Sequence, residues 1–173
     1  MRMRFRNLKR WPFATILAAR NYGYDNIVAP CGAKMGSQLC MAILRHDNCE
    51  VKELLARGAP LNYHDSPDGW TPLIYSIYYR NQTARDLLLE MNADPTLSDY
   101  AGRTPLMIAA VVGDKNLIRR LLAMGVPVSA ADYRSKTAVD FATEYHNTDC
   151  IDLLKTHIFK NPILSPEENY GQQ

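Results

Sequence analysis

The chain has 173 residues, of which 47% are apolar, and a formal charge of +2. That supplies one domain with a core, and it sits too near neutrality for the molecule as a whole to act as a polyanion binder. The four cysteines, Cys31, Cys40, Cys49 and Cys150, lack the spacing of a disulfide framework, which favours a reduced, intracellular protein, and no apolar run approaches the roughly 20 residues of a membrane span.

Residues 1–32 read as an extension. Arg2, Arg4, Arg6, Lys9 and Arg10 form a basic arm, Arg20 follows, and no acid appears before Asp25. The arm has three readings. It is a solvated segment ahead of a short capping helix at Phe13–Ala19, a mitochondrial transit segment, or an arm anchored on an acidic partner such as RNA, tubulin or an anionic membrane. Pro12 and the absence of serine weigh against the transit reading. Phe13–Ala19 is too brief for a secretory signal.

From residue 33 the chain becomes periodic. Thr71-Pro72-Leu73, Thr104-Pro105-Leu106 and Thr137-Ala138-Val139 recur every 33 residues, each heading a helix–turn–helix pattern. Spacing of this kind makes an array of stacked units. In the first unit Leu54-Leu55-Ala56-Arg57-Gly58-Ala59 ends a second helix, and counting back puts Ser37-Gln38-Leu39 at the head. One extra residue falls in the loop 63–68, beside Pro67. In the second unit Leu73, Ser76 and Ile77, then Ala84, Leu87, Leu88 and Leu89, form the apolar stripes, and Asn92 takes the left-handed cap. The third has Thr104-Pro105 as a capped first turn, Gly113 as a breaker, Leu117, Ile118, Leu121 and Leu122 as a stripe, and Gly125 as a cap. The fourth keeps its head but is poorer in apolar residues, as a terminal unit with one neighbour requires.

The heads Asp68-Gly69-Trp70-Thr71-Pro72-Leu73 and Ala101-Gly102-Arg103-Thr104-Pro105-Leu106, with Ala93-Asp94-Pro95 after the cap, resemble ankyrin repeats. The resemblance implies an all-α solenoid of three to four helix-turn-helix repeats over 33–157 (units 33–65, 66–98, 99–131 and 132–157). A polar tail follows at 158–173. It also implies a binding surface without chemistry of its own. In such arrays partners are met by the finger residue before Thr, the residue after the finger Asp, and two positions after the paired alanines. Carried over, these are Trp70, Tyr78 and Tyr79; Tyr100, Arg103, Val111 and Val112; Tyr133, Lys136, Glu144 and Tyr145; and Leu44 and Arg45 in the first unit. The row is rich in Tyr, Trp and Arg, the residues that dominate interface energetics. Tyr75 stands where a buried leucine is usual, so part of the tyrosine cluster has the alternative of serving as core.

Nothing in the sequence points to a catalytic or metal site, or to a cofactor. His46, His64, His146 and His157 are scattered, and His46 and His146 occupy the breaker position of a surface turn. His146 and Cys150, four apart, are two groups short of a zinc site. Asp65, Asp68, Asp99 and Asp132 belong to the turn fingers, where short carboxylates bond to nearby N–H groups. The expected function is therefore a non-enzymatic adaptor, scaffold or accessory subunit of a multi-subunit complex. It binds a protein through its concave aromatic face, with no membrane insertion and no small-molecule substrate. The alternative is an accessory subunit of a ribosome-like particle whose arginine arm contacts RNA. A cytoplasmic location is expected, with mitochondria as the alternative. Ionic strength separates the two functions. Partner capture by an aromatic face should survive high salt and deletion of residues 1–12 in a pull-down, whereas capture through phosphate contacts should be lost in both.

Overall fold

The computed structural model describes residues 31–160. Among them lie eight α-helices in four hairpins: α1 (Cys31–Leu44) with α2 (Asn48–Ala56), α3 (Pro72–Tyr78) with α4 (Gln82–Glu90), α5 (Pro105–Val112) with α6 (Lys115–Ala123), and α7 (Ala138–Glu144) with α8 (Thr148–Lys160). The basic arm, the helix expected at Phe13–Ala19 and the tail beyond residue 160 lie outside the described residues.

The five helices α2 to α6 start where a short polar side chain takes up an orphan backbone N–H. Thr71 accepts from Ile74 N–H at 3.3 Å and Thr104 from Met107 N–H at 3.4 Å, each just before the proline that opens the helix. Asp47, Asn81 and Asp114 do the same for the second helices of their hairpins, accepting at 3.0, 3.1 and 3.0 Å. Between the helices of every hairpin one residue goes left-handed: His46, Arg80, Gly113 and His146, with φ of 58°, 57°, 77° and 57°. Past α2, α4 and α6 the same conformation falls on Gly58, Asn92 and Gly125. In each of these three, the next N–H reaches back to the helix, as from Val126 to the Leu121 carbonyl at 3.2 Å. That closure is the Schellman pattern.

Successive units stack. The first helices, α1, α3, α5 and α7, pack one on the next, and the second helices contact less extensively. Leu73, Ile74, Leu88, Leu106, Ile108, Ile118 and Leu121 are all but fully buried in this stack. Polar stitches cross the same boundaries. Asn81 Nδ2 donates to the Ile43 carbonyl at 3.1 Å, Asn147 Nδ2 to those of Ala110 and Val111 at 2.7 and 3.0 Å, and Arg80 to that of Val112 at 2.6 Å. Each acceptor is a carbonyl in the last turn of a first helix, where intrahelical donors run out.

The ends of the array differ from its middle. Met107, Ala110 and Leu122 are buried in the third unit, and 33 positions on stand Asp140, Thr143 and Lys155, all exposed. The two boundaries of the array also depart from expectation. α1 already covers Cys31 to Gly36, ahead of Ser37, so helix occupies the place of a first finger. Gly36 within it is covered by the Tyr63 ring. α8 runs on to Lys160, so Ile158 and Phe159, expected in the extended tail, are helical. Phe159 is 84% exposed, where Val126, its counterpart in the third unit, is buried.

Two predictions follow from this packing. Replacing the fully buried Leu88 or Leu121 with Ala should cost roughly 2–5 kcal/mol in chemical denaturation. Gly36→Ala, a change worth up to about 1 kcal/mol of stabilisation in an ordinary helix, should instead destabilise by about 1–3 kcal/mol. Its Cβ would overlap Tyr63 Cγ and stand 2.8 Å from Tyr63 Cβ. In a Tyr63→Ala background the same change should turn neutral or stabilising.

Candidate partner-binding surface

The fingers between hairpins place the candidate residues. In the second and third fingers an aspartate organises the turn. Asp99 Oδ1 accepts from Ala101 and Arg103 N–H at 2.9 and 2.8 Å, and Asp132 Oδ1 from Arg134 and Lys136 N–H at 2.9 and 2.8 Å. The first finger carries the extra residue, so Asp65 pairs through its backbone with Trp70, while its carboxylate turns to Tyr75, whose hydroxyl donates to Oδ2 at 2.8 Å. Burial raises the Asp65 pKa above the ordinary carboxylate value, and the Tyr75 hydrogen bond only partly offsets this. Burial, then the Asp65 charge, pushes the Tyr75 phenol well up.

Neighbouring fingers lie on one another. The Tyr100 ring covers Gly69, and its N–H donates to the Asp68 carbonyl at 3.0 Å; Tyr133 covers Gly102, and its N–H donates to the Ala101 carbonyl at 3.0 Å. A side chain at Gly69 would run into the Tyr100 ring, one at Gly102 would crowd Tyr133, and both have positive φ, so glycine is favoured on two counts. His64 adds a ring stacked near-parallel to Tyr100 at 6.0 Å, with Nδ1 donating to the Gly69 carbonyl at 2.9 Å. Tyr100 and Tyr133 are therefore structural on one face, though 60% and 81% exposed overall.

The expected row resolves into one aromatic cluster with flanks. Trp70 meets Tyr75 edge-on at 5.3 Å and Tyr78 at 4.9 Å, with Tyr79 tilted at 6.5 Å. Tyr75 and Tyr79 stack at 6.1 Å, and the Arg103 guanidinium lies 6.0 Å from the Trp70 ring centroid. Trp70 was expected to be spare, and that is corrected: it is 6% exposed, because Tyr75 and Tyr78 of α3 and Tyr79 at its C-cap pack onto it. Tyr78 and Tyr79 are half-buried, and burial raises both phenol pKa values; Tyr145 of the fourth unit adds to the shift at Tyr78, and Arg103 opposes it. Arg103 is not a spare cation, since its Nε donates to Asp99 Oδ2 at 2.6 Å. Lys136 and Glu144 bond to each other at 2.5 Å, and Arg45 to Glu50 at 2.7 Å. Val111, Val112 and Leu44 are half-buried, and Tyr145 is exposed. Asp65, assigned to a turn finger, holds the cluster, and His64, given no role, joins the finger stack. The signal available for them was the extra residue after Asp65, which breaks the finger pattern.

Elsewhere the surface carries little. His146 and Cys150 line a shallow depression of about 200 Å³ with Gly113, Asn147, Thr148 and Asp149, and among the described residues no three His, Cys, Asp or Glu side chains converge as a metal site. Cys40, Cys49 and Cys150 are free thiols. No described helix is long and apolar enough to cross a membrane.

These repeated hairpins, capped by Thr-Pro and joined by Asp-centred fingers, match the family model for ankyrin repeats over residues 15–99 and 91–162. The chain belongs to the ankyrin-repeat family. It is 35% identical over 79 residues to human 2-5A-dependent ribonuclease, covering 46% of this chain and 11% of that protein. It is 24% identical over 142 residues to mouse inversin, covering 82% and 13%. With the putative ankyrin repeat protein YahD of Escherichia coli it shares 38% identity over 81 residues, covering 43% and 40%. The chain thus spans only a small part of the length of the first two. As an ankyrin-repeat protein it is a protein–protein interaction module, in a family that is generally non-enzymatic.

The first finger yields a pH test. Asp65 has a raised pKa when folded, so the folded state holds the extra proton between the ordinary and the raised value, and stability falls as pH rises through that window. The neutral-pH penalty should disappear on acidification. Asp65→Asn should accordingly gain most relative to wild type near pH 7, with the gain shrinking as pH falls towards 4, as read from paired denaturation curves.

Proposed function

We propose that the chain is an adaptor or accessory subunit that captures a protein partner on the concave side, through Tyr78, Tyr79, Val111, Val112 and Tyr145, with Tyr100 and Tyr133 at its finger rim. The observation that carries this reading is the group of partly buried tyrosines, Tyr75, Tyr78 and Tyr79, packed on Trp70. Tyr78 and Tyr79 sit at the solvent edge of a ring packing whose interior is Trp70. Large aromatic area with a polar handle, pre-organised by neighbours, is the material of interface hot spots. Arg103, Lys136 and Arg45 already hold carboxylates, which favours an interface driven by burial over one driven by charge.

The test compares tagged wild-type chain with a Tyr78→Ser, Tyr79→Ser double variant in affinity purification from native cells, read by mass spectrometry. The specific partner should disappear with the variant while the helical circular dichroism is retained. Because both rings also pack on Trp70, a melting temperature lower by several degrees is expected. Unchanged partner capture would refute the concave reading.

A further inference from the structure

One cation beside the contact row holds no carboxylate. Arg45 pairs with Glu50, Arg103 with Asp99 and Lys136 with Glu144, and on the second helices Arg85 pairs with Asp114 and Arg120 with Asp86. Arg80 is in none of these pairs. It follows Tyr79 at the turn end of α3, is exposed, and donates from Nη2 to the Val112 carbonyl of the next unit at 2.6 Å. We infer that Arg80 anchors a carboxylate of the partner. The occupant of this face is a protein segment that sets one Asp or Glu side chain on the Arg80 guanidinium and an apolar side chain beside it on Val111 and Val112. This rests on the concave reading above and names the chemistry of the partner at one point of it.

Position and charge both select that ligand. The bond to Val112 holds the guanidinium at the last turn of α5, against two residues of the contact row. Its place is set before a ligand arrives, so little side-chain entropy is left to lose on binding. One nitrogen is spent on that carbonyl, and the planar fork keeps further N–H groups in the arrangement that grips a carboxylate. The acid nearest along the chain to Val112 is already consumed. Asp114 Oδ1 accepts from Leu117 N–H at 3.0 Å and Oδ2 from Arg85 at 2.9 Å. A partner that covers Tyr79, Val111 and Val112 also covers Arg80, and a cation taken out of water without a counter-charge is costly. A neutral segment leaves that cost standing, and a basic one adds repulsion. A polyanion fits poorly, because the cations around Arg80 are paired and one arginine supplies a single phosphate contact. Arg134, which also enters no ion pair, stands on a finger, at the other end of the first helices.

The experiment selects a random peptide library on phage against the immobilised full chain and, in parallel, against Arg80→Gly. Glycine is what the third unit carries in this turn, with φ of 77° at Gly113 against 57° at Arg80, so the variant suits the backbone, and its melting temperature checks the fold. Wild-type selections should converge on peptides with one Asp or Glu flanked by apolar residues, and the acid should vanish from the Arg80→Gly selections. A synthetic copy of the most frequent wild-type clone should bind Arg80→Gly about tenfold or more weakly. Arg80→Gln, which is neutral but keeps a side-chain N–H, should lose the same affinity. The gap between wild type and either variant should narrow as salt is raised, which loss of a merely structural bond would not produce. The Arg-rich arm is present in every chain compared, so acidic peptides recovered equally by wild type and Arg80→Gly would overturn the inference. Selections that enrich no acid or no peptide, an Arg80→Gln chain that binds like wild type, or a gap indifferent to salt would overturn it as well. If Arg80→Gly keeps the cellular partner that the Tyr78→Ser, Tyr79→Ser variant loses, the anchor falls and the concave reading stands; if the tyrosine variant keeps the partner, the reading itself falls.

Discussion

Burial between neighbours is the constraint on which this protein depends. A hairpin such as α5–α6 cannot hide Leu106, Ile108, Ile118 and Leu121 against itself, and these side chains are nearly inaccessible only because units pack on both sides. Stability is therefore approximately a sum of weak units and the interfaces between them. The small residues Ser76, Ala109, Ala110 and Ala142 sit fully buried where first helices meet, which allows the close approach. At both ends this logic stops. Asp140, Thr143 and Lys155 are exposed where the third unit has buried residues, and Gln38 is exposed where Pro72 and Pro105 are buried.

Backbone hydrogen bonding supplies the precision that burial lacks. Apolar contact is non-directional, so it would tolerate a hairpin sliding against its neighbour. The bonds from Asn81, Asn147 and Arg80 to carbonyls in the last turn of a helix of the adjacent unit fix the register, since a hydrogen bond has direction. The fingers add a second set, with Tyr100 and Tyr133 bonded through their N–H groups to the preceding finger and lying on its glycine. A ring that anchors one finger to the next thus also presents its other face to solvent, and scaffold and surface share the same side chains.

The aromatic cluster shows how a single insertion changes local chemistry. In the second and third fingers the aspartate is consumed by two backbone N–H groups. One more residue in the first finger releases Asp65 to a tyrosine of α3, and Tyr75 in turn stacks on Tyr79 and meets Trp70 edge-on. A loop that lengthens at little entropic cost thereby reorganises four rings and raises the pKa of a carboxylate. The ordinary fingers beside it give the contrast.

The periodic heads, the caps and the stripes were determined by sequence alone. Thr-Pro at a helix start and Gly or Asn after a helix end act through dihedral preference and one local hydrogen bond, so they do not depend on distant residues. His46 and His146 at left-handed turns were legible by register. Arg80, in the same conformation, gave no local sign, because its guanidinium bond to Val112 exists only across the unit boundary. Tertiary structure alone decided which aromatic residues are surface. Trp70 and Tyr79 look alike on a repeat template, but α3 and the lengthened finger close over the first and leave the second at the rim. Burial is a property of what several units place around a side chain, and no window of sequence contains that sum.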